Sequence, residues 1–223
     1  MKQTISILSL AVLLAACGGT SSDSAKTEEK KEAAVAAGNA YVIDTVTTTV
    51  DWRATHKGGL APRFGIISIN DGTLTVDNGV VTAGNFVINL AALKVDTASV
   101  TEPGKKAADL ENHLKSPDFF DVAKYPTAKF VITKVAPYDS TQQKSLLPGA
   151  TNLISGNLTL KDSTLNITFP AQIIIAGNDV TAHAKFTIDR SAWGVHYKTE
   201  GSPENWAISK DVELGFTLKA NKK

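Results

Sequence analysis

Apolar side chains recur at every second position through most of this chain, a spacing that suits little except half-buried β-strand. Val50, Trp52 and Ala54 fall on one side of an early run, and Val212, Leu214, Phe216 and Leu218 on one side of the last. Between them, the run through Leu74 and Val76 and the run carrying Phe86, Ile88 and Leu90 flank Asp77-Asn78-Gly79. Asn-Gly accepts the positive φ angles that a two-residue hairpin demands. Lys129–Lys134 reads as a further strand, followed by pairs at Leu158 and Leu160 and at Ile167 and Phe169. The next run aligns Val180, Ala182, Ala184, Phe186 and Ile188 after a turn at Asn178-Asp179. The tally is roughly eight or nine strands at hairpin spacing.

One segment departs from that period. From Gly104 to Lys115, Ala107, Leu110 and Leu114 share a helical face, and Pro117 ends the pattern. Many strands and one helical insertion predict an all-β domain, either a sandwich or a closed antiparallel barrel. Closure removes exposed edges, and about eight strands leave an interior that is either filled or holds one small ligand. The alternation alone leaves both architectures open.

The first residues read as a bacterial lipoprotein leader. Lys2 supplies the positive charge, and Ile5–Leu14 is an apolar run too short to cross a bilayer as a helix. Leu14-Ala15-Ala16-Cys17-Gly18 then has the order of a lipidation site. This predicts a signal peptide over 1–16 and acyl chains on Cys17, at about 0.8 kcal/mol per buried methylene. Residues 17–39, rich in Ala and Ser with the mixed charges of Lys26–Glu32, read as a flexible tether. Residues 40–223 remain as one domain.

Loss of Lys2 with the leader leaves 22 basic residues against 22 acidic, a formal charge of zero. Without a basic stripe, nucleic acid is not expected as a partner. Cys17 is the only cysteine, so no disulfide, thiol metal site or catalytic thiol is expected.

The stretch Asn112–Phe130, NHLKSPDFFDVAKYPTAKF, joins the helical pattern to a strand through two prolines, with Phe119 and Phe120 side by side. It resembles the hallmark segment of the YceI-like family, lipocalin-like barrels of the bacterial envelope that hold polyisoprenoids. The likeness continues through Tyr41–Asp44, Val50–Trp52, Gly72–Val76, Gly156–Leu160, Ile167–Pro170, Phe186–Gly194 and Ile208–Leu214. Many members carry His-Ser where this chain has Thr47-Thr48, and a basic residue near Leu165. The resemblance implies an antiparallel lipocalin-like β-barrel with a short helical insertion.

It also implies a hollow interior that sheathes a lipid tail. Trp52, Phe86, Ile88, Phe130, Ile132, Phe169, Phe186 and Phe216 are expected to line it, with Phe119 and Phe120 as a lip. His113 and Arg190 are placed near the mouth, Arg190 meeting either a head group, Asp189 or a rim carbonyl. Asp118 and Asp121 are expected to bond to turn amides.

No nucleophile elbow, phosphate loop or dinucleotide fingerprint occurs. His56, His113, His183 and His196 lack metal-ligand spacing, so no metal or other cofactor is expected. Asn157 and Asn166 match glycosylation sequons but fall in strands. The expected function is non-catalytic binding, storage or transport of a long-chain isoprenoid or similar amphiphile, on a membrane, facing periplasm or cell surface. The alternatives are an envelope enzyme acting on lipid through His56, His113 or Arg190, and a structural lipoprotein with a solid core. A mouth rimmed with aromatics leaves a homodimer open.

Overall fold

The computed structural model describes residues 24–56, 61–141, 143–199 and 207–223. Their strands are β1 Lys26–Glu29, β2 Asn39–Ile43, β3 Thr49–His56, β4 Arg63–Asp77, β5 Val80–Asn89 and β6 Lys94–Val95. After helix α1, Ala107–Lys115, come β7 Thr127–Pro137, β8 Asn152–Leu160, β9 Ser163–Ala176, β10 Asp179–Asp189 and β11 Ile208–Lys222.

The strands close into an eight-stave antiparallel barrel. β4, β5, β7, β8, β9, β10 and β11 each form one stave. β2 and β3 share the eighth, β3 pairing with β11 over Ile208–Thr217 and β2 taking over at Ala220–Lys222. Pairing of β8 with β9 shuts the ring. Closure satisfies the backbone groups that an open sheet would leave at its edges. The period-two residues of each strand supply the inner face.

Local chemistry sets the corners as expected. Asn78 and Gly79 turn the β4–β5 hairpin with φ of 48° and 77°. β4 runs fifteen residues because a bulge between Ile69 and Asp71 joins two shorter alternating runs. The bulge shifts the buried parity from Ile67 and Ile69 to Leu74 and Val76. α1 begins later than Gly104, which sits in a turn at φ 78°, and ends where the Ser116 amide donates to the His113 carbonyl.

The tether expectation is corrected over residues 24–38, which lie along the outer wall. β9 and β10 pair only from Ala171/Ala184 to Ala176/Asp179. Beyond that point Pro170 has no amide to donate, and β1 enters the seam, paired with β9 and touching β10 through Ser24 and Thr187. The chain then crosses the neighbouring staves as a strap. The Lys31 amide donates to Asn157 Oδ1 at 3.0 Å, and Asn157 Nδ2 donates back to the Lys31 carbonyl at 2.6 Å. A bulge at Thr133 in β7 frees the Ile132 carbonyl, which accepts from the Ala34 amide at 3.0 Å. Thr82 Oγ1 donates to the Ala37 carbonyl at 2.7 Å. Composition concealed this strap because main-chain groups and the side chains of Asn157 and Thr82 hold it, more than apolar burial does. Asn157 and Asn166 lie buried beneath it, so both sequons are covered.

Candidate functional site

Two cavities lie end to end inside the barrel. The chamber at the α1 end measures about 490 Å³ and the narrow cavity beyond it about 110 Å³. Val50, Ile88, Leu158 and Leu214 line both and so form the layer where one passes into the other.

The chamber takes much of its wall from connections rather than strands. Leu90 and Leu93 follow β5, Leu110 and Leu114 come from α1, and Phe119 and Phe120 from the turn behind it. That turn rests on carbonyls at the helix end: the Phe119 and Asp121 amides donate to Ser116 O, and the Phe120 amide to Leu114 O. Asp121 takes a φ of 47°. Phe119 is buried against His113 at 5.1 Å and Tyr197 at 5.0 Å between ring centroids. Trp52 closes another side, its indole donating to the Lys94 carbonyl at 3.3 Å.

Apart from the Tyr197 phenol, every ionisable group among the described residues lining the chamber is basic: His56, Arg63, Lys105, His113, Arg190 and Lys198. Arg63 pairs with Glu102, whose carboxyl it holds below the usual carboxylate range. His113 Nε2 lies 2.8 Å from Asp118 Oδ2. That contact corrects the expected Asp118 bond to turn amides. Asp121 contributes its carbonyl, which accepts from the Lys124 and Tyr125 amides.

Arg190 is buried, and its guanidinium donates to four carbonyls, those of Val195, Tyr197, Ile208 and Ser209, at 2.7–3.0 Å. It ties the β10–β11 connection together. Asp189 is engaged elsewhere: burial would raise its carboxyl, but bonds from Ser191 and the nearby Lys210 lower it. Of the alternatives for Arg190, the rim carbonyls hold.

The narrow cavity is apolar apart from Thr48. Phe169 stacks on Phe186 at 4.0 Å and 8°, meets Phe216 edge-on at 5.9 Å, and lies 5.7 Å from Phe130. Phe130 in turn lies 6.2 Å from Phe86. Phe130 reaches toward Phe169 across β8 because Gly156 stands between them; a Cβ there would sit 2.2 Å from the Phe130 ring. The rings narrow the bore on one side, and the cavity continues past them to Val180 and Leu218.

Each of the twelve side chains nominated from sequence lines one of the cavities. Trp52, His113, Phe119, Phe120 and Arg190 belong to the chamber, Ile88 to the junction, and Phe86, Phe130, Ile132, Phe169, Phe186 and Phe216 to the narrow cavity. Cys17 lies outside the described residues. Sequence reasoning missed Arg63, Leu90, Leu93, Lys105, Tyr197 and Lys198. Most sit in connections without a period, and Arg63, at the start of β4, has none of the apolar character that was sought. Among the described residues, no group of three His, Cys, Asp or Glu is arranged to hold a metal.

The family model described as YceI-like domain matches residues 41–220. The chain belongs to the YceI-like family. A UPF0312 protein of Pseudomonas putida (strain W619) is 33% identical over 132 residues, 58% of each chain. Protein YceI of Escherichia coli O157:H7 is 36% identical over 92 residues, 41% of this chain and 43% of its own. The matches thus span less than two thirds of these curated relatives. Among solved structures, Burkholderia cenocepacia BcnA has a TM-score of 0.58 at 19% identity, covering 80% of this chain and 99% of its own. A polyisoprenoid binding domain from Saccharophagus degradans, implicated in plant cell wall breakdown, has a TM-score of 0.51 at 15% identity, covering 83% and 99%. At such identities the likeness is one of fold. The YceI-like match begins at Tyr41, so the strap lies ahead of it.

Proposed function

We propose that this YceI-like barrel binds an isoprenoid or similar amphiphilic lipid without catalysis, storing it or carrying it within the bacterial envelope. The observation carrying this reading is the chamber of about 490 Å³, apolar in its walls and basic at its rim. Ligand sites of roughly 300–1000 Å³ with few polar groups are typical of small-molecule binding. A tail in the chamber releases its hydration water, and a polar or anionic head rests near Lys105, Lys198 and His56. The Saccharophagus domain of like fold, described as polyisoprenoid binding, supports the choice of ligand class.

The enzymatic alternative draws less support. Arg190 has its donors engaged by carbonyls, and His113 rests on Asp118 at the rim. Acylation of Cys17 would hold the barrel on a membrane facing periplasm or cell surface, and Cys17→Ala is expected to move the protein from the membrane to the soluble fraction. Native mass spectrometry of protein purified from its own host tests the central reading. A retained hydrocarbon-rich ligand is expected; a clean apo mass from fresh cells would favour a structural lipoprotein.

A further inference from the structure

Arg63 is a cation set on the inward face of a strand. It stands opposite Ala54 where β3 pairs with β4, and opposite residues of an antiparallel pair share a face. Ala54 lines the chamber, as does Ile67 on the same face of β4. A charge beside such apolar neighbours is costly without partners. Arg63 Nη1 donates to the Ser99 carbonyl at 2.6 Å and Nη2 donates to Glu102 Oε1, which together fix the plane of the guanidinium. Of its five N–H donors, the other three meet no acceptor among the described residues.

The other cations lining the chamber are placed differently. Arg190 gives its donors to four carbonyls, and His113 rests on Asp118. Lys105 and Lys198 are exposed, where water and salt screen their attraction. Glu102 decides which kind of head suits Arg63. Its carboxyl, held below the usual range, stays ionised and balances the guanidinium. Its second oxygen is buried and has no donor among the described residues. A phosphate or carboxylate brought to Arg63 faces this like charge. An uncharged oxygen accepts from the guanidinium without that opposition.

We infer that Arg63 holds the head of the ligand and selects an amphiphile ending in an uncharged oxygen, an alcohol or carbonyl, over one ending in phosphate. The inference rests on the lipid-binding reading and narrows its ligand. Because Ser99 and Glu102 already orient the guanidinium, little ordering is needed on binding.

The test equilibrates purified full-length protein with phosphatidylcholine vesicles carrying equal amounts of phytane, phytanol and phytanyl phosphate. The protein is re-isolated and its retained lipids are quantified by mass spectrometry. The three probes share one branched tail, so their ratio reads the head alone. Phytanol is expected to exceed phytane by about tenfold or more, the scale of a hydrogen bond to a charged donor, and to exceed the phosphate. Arg63→Met combined with Glu102→Gln removes both charges together; the phytanol-to-phytane ratio then falls below about threefold while total loading stays. Arg63→Lys keeps the pairing with Glu102 but lacks the planar fork. It lowers the ratio and retains the fold if the double variant loses it. A ratio unchanged in these variants, whatever the total loading, overturns the role of Arg63, as does phytane retained as well as phytanol by the unmodified protein. Phytanyl phosphate in excess over phytanol overturns the uncharged head. Retention of none of the three overturns the lipid-binding reading itself.

Discussion

The upper and lower parts of the bore are made by the same strands, yet one is hollow and the other nearly full. In the lower part large rings project inward from β5, β7, β9, β10 and β11. β9 and β10 separate beyond Ala171 and Ala184, level with the stacked Phe169 and Phe186, and β1 pairs with β9 there. The chamber above is lined partly by α1 and the long connections. Trp193 is fully buried near the chamber end, its indole donating to the Leu158 carbonyl at 3.0 Å. Strand side chains crowd the lower bore, and connections wall much of the upper one.

Substitutions can break or sharpen this contrast. The largest expected effect is at the full end. Phe169→Ala removes a ring touching three others and should cost about 3–5 kcal/mol in urea denaturation. Leu110→Ala, on the half-exposed inner face of α1, should cost less than about 1 kcal/mol. Equal losses at the two sites would remove the distinction between the crowded end and the chamber. Next comes Arg190→Leu, which strips one buried and three part-buried carbonyls of their donor and should cost about 3 kcal/mol while loosening the mouth. Unchanged proteolysis of the β10–β11 connection in that variant would show that the clamp does not order it.

Gly156→Ala follows, at about 1–3 kcal/mol, because its methyl displaces the Phe130 ring. A near-ultraviolet circular dichroism spectrum identical to that of the parent would argue against that displacement. The smallest effect concerns β1. Bonds from Lys26 and Lys31 lower the Glu28 carboxyl from 4.5 to about 2. A carboxyl lowered on docking supports the docked form fully above its unfolded value and loses that support as pH falls toward the folded one. Amide chemical shifts of Lys26–Glu29 should therefore begin to move below about pH 4.5 and change most near pH 2, and salt should weaken the effect because the pair is exposed.

The barrel and its inner face were legible because alternation is a direct consequence of strand geometry. Phe130, Phe169, Phe186 and Phe216 could be named from period alone. That they meet one another was not legible, since contact depends on Gly156 and on the stagger between staves. The β4 bulge was hidden as well: a parity change at Asn70 looks like two strands. The chamber lining at Leu93, Lys105 and Tyr197 carried no periodic signal, and only the hallmark stretch pointed to that end of the barrel. The strap was read as tether because its composition is polar, while its fixing points are carbonyls and amides that composition does not report.

The strap has a practical consequence for anyone trimming this protein. Cutting at Tyr41, where the family match begins, would remove β1 along with the tether. The part of β9 from Leu165 to Thr168 would then lie raw beside β10, offering unpaired amides to any passing strand. Such a shortened protein is expected to self-associate through this slot, whereas one beginning at Ser24 keeps its side wall intact.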